Sequence, residues 1–127
     1  MDLLKYIERC TGTNHNGPAW IAYVQTSKTG RTIYFNGRAL QRAAKGYGQG
    51  NHFDVETGEA YWISGVKTRG SNRHWAGSGH ILVEESAVSE LLALLETPAL
   101  DTSVFRVTPD LPRTDSQKFN ALLNETL

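Results

Sequence analysis

Ala19-Trp20-Ile21-Ala22-Tyr23-Val24-Gln25-Thr26 is the stretch whose reading decides the fold. It is rich in aromatic and β-branched residues, which suit a pleated strand. Successive strand residues face opposite ways, so Trp20, Ala22 and Val24 share one side and Ile21 and Tyr23 the other. Both sides are apolar. A strand of this kind is covered on each face, as in the centre of a sheet or the wall of a barrel. Ser27-Lys28-Thr29-Gly30 follows as a turn, with glycine where a positive φ is wanted. Arg31-Thr32-Ile33-Tyr34-Phe35-Asn36 then returns as a second strand.

Further along, Arg38–Arg42 is a candidate short strand, and Gly46-Tyr47-Gly48-Gln49-Gly50-Asn51 is a glycine-rich loop. Its Gly-x-Gly-x-Gly spacing is not a phosphate cradle, because neither a helical pattern nor Lys-Ser/Thr comes after it. His52–Val55 and Ala60–Ser64 flank Glu56-Thr57-Gly58-Glu59 as another hairpin. Val66–Thr68 against Arg73–Trp75 reads as a third, and Ile81–Val83 as a last short strand. Nine of the twelve aromatics fall in residues 18–83, so most of them must be core. The expected class is α+β, mainly β: a small antiparallel barrel of SH3-like or Sm-like size, with a short N-terminal helix and C-terminal helices.

The N-terminal helix is expected over residues 2–10, where Leu3, Leu4, Ile7 and Cys10 recur at helical spacing behind Asp2. Cys10 reads as a small core residue rather than a nucleophile. Past the barrel, Ser86 is placed to cap a helix whose stripe is Val88, Leu91, Leu92 and Leu95. That stripe must dock on the barrel or on a second copy, which would make a homo-oligomer. Pro98, Pro109 and Pro112 mark an irregular segment in which Ser103–Val107 is a stray strand, and Asp115 caps a last helix carrying Phe119, Leu122 and Leu123. Residues 1–96 are thus expected to form one domain, and residues 97–127 an extension.

The chain has 127 residues, 39% of them apolar and 20% charged, and one cysteine. That is enough for a core without disulfides. The N-terminus lacks a basic stretch followed by an apolar one, so the expected compartment is the cytoplasm, with no membrane partner. Net charge is zero, yet it is divided. Residues 18–83 hold eight bases against three acids, a net of +5, and residues 84–127 hold three bases against eight acids, a net of −5. A basic body with an acidic tail suits a polyanionic ligand on one side.

Function is sought along Thr57–Gly79, which carries two of the three tryptophans and a run of bases about a turn. Lys67, Arg69, Arg73 and His74, beside Tyr61 and Trp75, are candidates for phosphate contacts and stacking platforms. His15, His52, His74, His80 and Cys10 lack metal-ligand spacing. Gly77-Ser78-Gly79 is not a nucleophile elbow, and only His74 or His80 with Asp54 or Glu59 suggests acid/base work. No catalytic residue, metal or cofactor is assigned. The reading favours a small binding or interaction module and leans away from an enzyme. Its alternative is single-stranded nucleic acid or another polyanion held by the basic-aromatic hairpin, ahead of a small hydrolase or transferase. A protein partner and single-stranded nucleic acid are both open.

Gly17-Pro18-Ala19-Trp20-Ile21, Tyr34-Phe35-Asn36-Gly37, Asp54…Thr57-Gly58-Glu59, Tyr61-Trp62-Ile63-Ser64-Gly65-Val66-Lys67 and Arg73-His74-Trp75-Ala76-Gly77-Ser78-Gly79 form a spaced pattern. In this the chain resembles a family of small uncharacterised bacterial proteins, over residues 17–95. The resemblance implies no activity. Some members bear the name of a reductoisomerase of isoprenoid synthesis, a much longer NADP- and metal-dependent enzyme. This chain has neither its dinucleotide fingerprint nor an acidic metal cluster.

Overall fold

A computed structural model describes residues 2–10, 18–47, 50–68 and 79–119. Six strands come first in chain order: β1 (Leu3–Cys10), β2 (Ala19–Thr26), β3 (Thr32–Phe35), β4 (Arg38–Tyr47), β5 (Gly50–Asp54) and β6 (Ala60–Ser64). Each pairs antiparallel with its neighbours in sequence, and β1 also pairs with β6, closing an up-and-down barrel. Closure leaves these strands without the exposed edges of an open sheet. Then follow β7 (Ile81–Glu84), helix α1 (Val88–Leu95) and β8 (Phe105–Thr108), with β7 parallel to β2 and β8 parallel to β7.

The turns explain two pieces of the sequence pattern. Asn36 and Gly37 both have positive φ, 52° and 75°, as a two-residue type I′ hairpin between β3 and β4 requires. Between β5 and β6 the buried Asp54 carboxylate accepts the Glu56 and Thr57 N–H groups at 2.8 and 3.3 Å, while Gly58 takes φ 79°. Asp54 therefore shapes the turn from within.

β2 is buried on both faces, as its composition requires. Trp20, Ala22 and Val24 point into the barrel with Ile7, Phe35, Leu40 and Ile63. Trp20 meets Phe35 edge-to-face at 5.2 Å between centroids, a favoured aromatic geometry. Ala19 and Ile21 point outward into a second core with Tyr6, Ile81, Val83 and Leu91. β2 pairs with β3 only at Gln25 and Thr26, which leaves residues 19–21 to receive β7.

Residues 3–10 form a strand, not a helix. Leu4, Tyr6, Glu8 and Cys10 lie on one face and Lys5, Ile7 and Arg9 on the other. The alternation is masked because Glu8 is fully buried, where Tyr6 donates its hydroxyl proton to it. Two partner strands outweigh a helical periodicity that either reading fits. Ser86 does not cap α1: residues 85–87 form a 3₁₀ turn, Ala87 is the N-cap, and the Ser86 N–H donates to Asp110 at 2.9 Å. The apolar stripe of α1 is covered by the chain's own barrel, with Leu91 buried and Val88 and Leu95 beside it.

Among the described residues α1 is the one α-helix, so the plural C-terminal helices are not found. Asp115 caps only a 3₁₀ turn, Ser116–Phe119, which brings Phe119 against Tyr34 at 6.5 Å; Leu122 and Leu123 lie outside the described residues. Val66–Thr68 is not a strand, and Arg73–Trp75 is likewise outside them. The stray strand exists as β8, and Ile81–Val83 belongs to β7, both in parallel pairing. Nothing in the six-stranded meander singles out an SH3-like or Sm-like type.

Residues 109–114 form a strap across β2, β3 and β7. The buried Glu84 accepts the Tyr23 and Leu111 N–H groups, each at 2.8 Å, and Thr114 accepts the Gly37 N–H at 2.8 Å. Among the described residues no helix is long and apolar enough to cross a membrane.

Candidate functional site

The barrel has two mouths, and the ladder register assigns charged residues to each. At one mouth lie the end of β1, the β3–β4 turn and the β5–β6 turn. There Arg38 pairs with Asp54 at 2.7 Å and Arg9 with Glu59 at 3.3 Å. Asp54 is fully buried, and Tyr61 lies beneath with 2% of its surface exposed. Burial pushes the Tyr61 phenol up, against the opposing charge of Arg38. Bases and acids alternate here and neutralise each other.

At the other mouth lie the start of β1, the β2–β3 turn, the end of β4 and the chain leaving β6. Several described bases gather here, while Asp2, Glu84 and Asp110 line a separate hollow with Gln25 of β2. Lys28 sits in the β2–β3 turn and Arg31 at the foot of β3, both exposed. Arg42 continues the inward face of Leu40 on β4, opposite His52. Lys5 stands opposite Ala22 of the interior face, and Lys67 is exposed just past β6. The acid nearest in sequence, Asp2, is turned aside to Arg113 at 3.1 Å. Of the bases of residues 18–83 whose side chains are described, Lys28, Arg31, Arg42 and Lys67 lie at this end and Arg38 lies at the other with the acids of that span.

Sequence reasoning chose only Lys67 of these bases. Of its other candidates, Tyr61 belongs to the barrel interior, where its ring offers no stacking surface, and Arg69, Arg73, His74 and Trp75 lie outside the described residues. Trp62 is half-buried in the outer core and Trp20 is buried in the inner one. Arg31 and Arg42 carry no sequence signal of proximity, because they stand eleven residues apart in different segments. The antiparallel β3–β4 pairing makes them neighbours, and the Arg42 N–H donates to the Arg31 carbonyl at 2.8 Å.

Several groups that acid/base or nucleophilic chemistry would draw on are committed to structure, whereas His80 is half-buried just before β7. Asp54 and Glu59 hold Arg38 and Arg9. Burial, with Glu8 nearby, pushes the Cys10 thiol up to about 11, the opposite of an activated nucleophile. His52 is buried, and burial followed by the Arg42 charge lowers it to about 4. Its Nδ1 lies 2.8 Å from Asn51 Oδ1, while that Asn51 amide spans to β6 by donating to the Ile63 carbonyl and accepting its N–H. Among the described residues no group of three or more His, Cys, Asp or Glu is arranged to hold a metal ion.

Compared with known proteins, the chain matches no family model, no curated protein and no solved structure.

Proposed function

We propose that this small barrel is a binding module whose basic mouth takes a polyanion, and that the polyanion is a single-stranded nucleic acid. The observation that supports this is the difference in charge between the two mouths: Lys5, Lys28, Arg31, Arg42 and Lys67 at one, bases and acids together at the other. A flexible single strand conforms to a rim of separated cations, each neutralising a phosphate and releasing counterions. Arg69, Arg73, His74 and Trp75, which lie outside the described residues, are proposed from the sequence alone as further contacts for this ligand. No side chain is assigned a catalytic role.

The test is titration of the protein with a labelled single-stranded oligonucleotide at two salt concentrations. Phosphate contacts by the five described bases alone predict that log K falls against log salt with a slope of about −3.5. Absence of binding at low salt would sink the proposal. A second reading, a protein-interaction module, is favoured by β8, the last strand of the sheet among the described residues, with Val107 49% exposed. An extended peptide adding to that edge would bind with little dependence on salt.

A further inference from the structure

Resting on that proposal of a polyanion at the basic mouth, we infer that the Arg31–Arg42 pair forms a phosphate subsite, the point at which the ligand's backbone is anchored. Arg31, Gln41, Arg42 and Ala43 line a concavity of about 380 Å³ at the β3–β4 edge of the mouth. The backbone bond from the Arg42 N–H to the Arg31 carbonyl, at 2.8 Å, fixes the two residues side by side. Ladder pairing of Thr32 with Gln41 holds the floor. Both arginines are exposed, and among the described residues neither makes an ion pair with a carboxylate. Two planar forks on a rigid ladder match the tetrahedral oxygens of a phosphate better than flexible lysines do. The class of ligand atom is therefore a phosphodiester or phosphate group, recognised by charge and shape rather than by base.

His52 makes the subsite observable. It lies opposite Arg42 in the β4–β5 ladder and opposite Tyr61 in β6, beside Asn51, with Asp54 further along its own strand held by Arg38. Of these, the Arg42 charge is the one that lowers its pKa, after burial itself. An anion seated on Arg42 must offset that charge and raise the His52 pKa.

The experiment follows His52 by NMR pH titration and measures oligonucleotide affinity in the wild type, Arg31→Gln, Arg42→Gln and Lys118→Gln. Inorganic pyrophosphate should raise the His52 pKa of the wild type. Arg42→Gln should raise it without ligand and abolish the pyrophosphate effect. Each arginine variant should weaken the oligonucleotide about tenfold and lower its salt slope by about 0.7. Lys118→Gln, on the 3₁₀ turn Ser116–Phe119, should leave both readouts unchanged. Pyrophosphate moving His52 while no oligonucleotide binds would uphold the subsite and overturn the nucleic-acid reading. Oligonucleotide binding that survives in both arginine variants with the wild-type salt slope would overturn the subsite and leave that reading standing. A His52 that pyrophosphate does not move also overturns the subsite.

Discussion

His52 should make the fold acid-sensitive in a defined pH window. The imidazole is 8% exposed, and burial, with Arg42 adding to it, brings its pKa from an ordinary 6.5 to about 4. Between those values the unfolded chain binds a proton that the folded chain refuses, so stability falls as pH falls. The contribution is fully present above pH 6.5 and fully lost below about 4. From pH 7 to pH 5 this one group should cost about 2 kcal/mol, and across the whole window about 3 kcal/mol. His52→Gln removes the proton while keeping an amide able to meet Asn51. Its absolute stability is not the readout. Denaturant unfolding, followed by the fluorescence of the buried Trp20, should give the wild type a loss between pH 7 and 5 that exceeds the variant's by about 2 kcal/mol. Equal losses in the two proteins would refute the reasoning, and so would a His52 titrating near 6.5 in the folded state.

Gly50→Ala should be among the most damaging small substitutions, because an added Cβ would lie 2.8 and 2.9 Å from the Tyr61 backbone N and C. Backbone cannot move aside as a side-chain tip does, so thermal denaturation should show a loss of about 3 kcal/mol, at the upper end of overpacking effects. Glu84→Ala should leave the Tyr23 and Leu111 N–H groups without their carboxylate acceptor, costing about 2–4 kcal/mol in denaturant unfolding. Limited proteolysis should then cut first within the strap at residues 109–114, and protection equal to wild type would count against the role given to Glu84.

The fold was most legible where local chemistry and tertiary need agree. Ala19–Thr26 is a strand with the anticipated two-sided burial, and the Asp54–Glu59 turn falls where a hairpin is expected, whereas Asn36, read as a strand residue, belongs with Gly37 to a turn. β1 was not legible, because Glu8 and Lys5 occupy positions where a strand pattern would show apolar residues. Only the buried Tyr6–Glu8 hydrogen bond and pairing to two strands make sense of them. The parallel course of β7 and β8 was equally hidden, since four-residue strands carry no mark of their partner's direction. Of the candidate site, the charge imbalance was readable and its location was not. Arg31 and Arg42 became neighbours through the ladder, while Tyr61, chosen as an aromatic near bases, is drawn inward by the alternation that puts Ile63 in the core.

Barrel closure through β1 and β6 also has a kinetic side. The other barrel pairings join consecutive strands, but Tyr6 must wait for Ser64 before its second ladder exists. On an emerging chain β1 can dock on β2 early and still present an unmatched edge, in which Tyr6 and Ile7 are apolar, until β6 has been made. Contacts between strands so far apart in sequence form slowly, and an unmatched edge invites pairing with other chains meanwhile. The interval between synthesis of β1 and of β6 is thus the period in which this protein is most open to aggregation, and a chaperone that shields β1 over that interval would raise its folding yield.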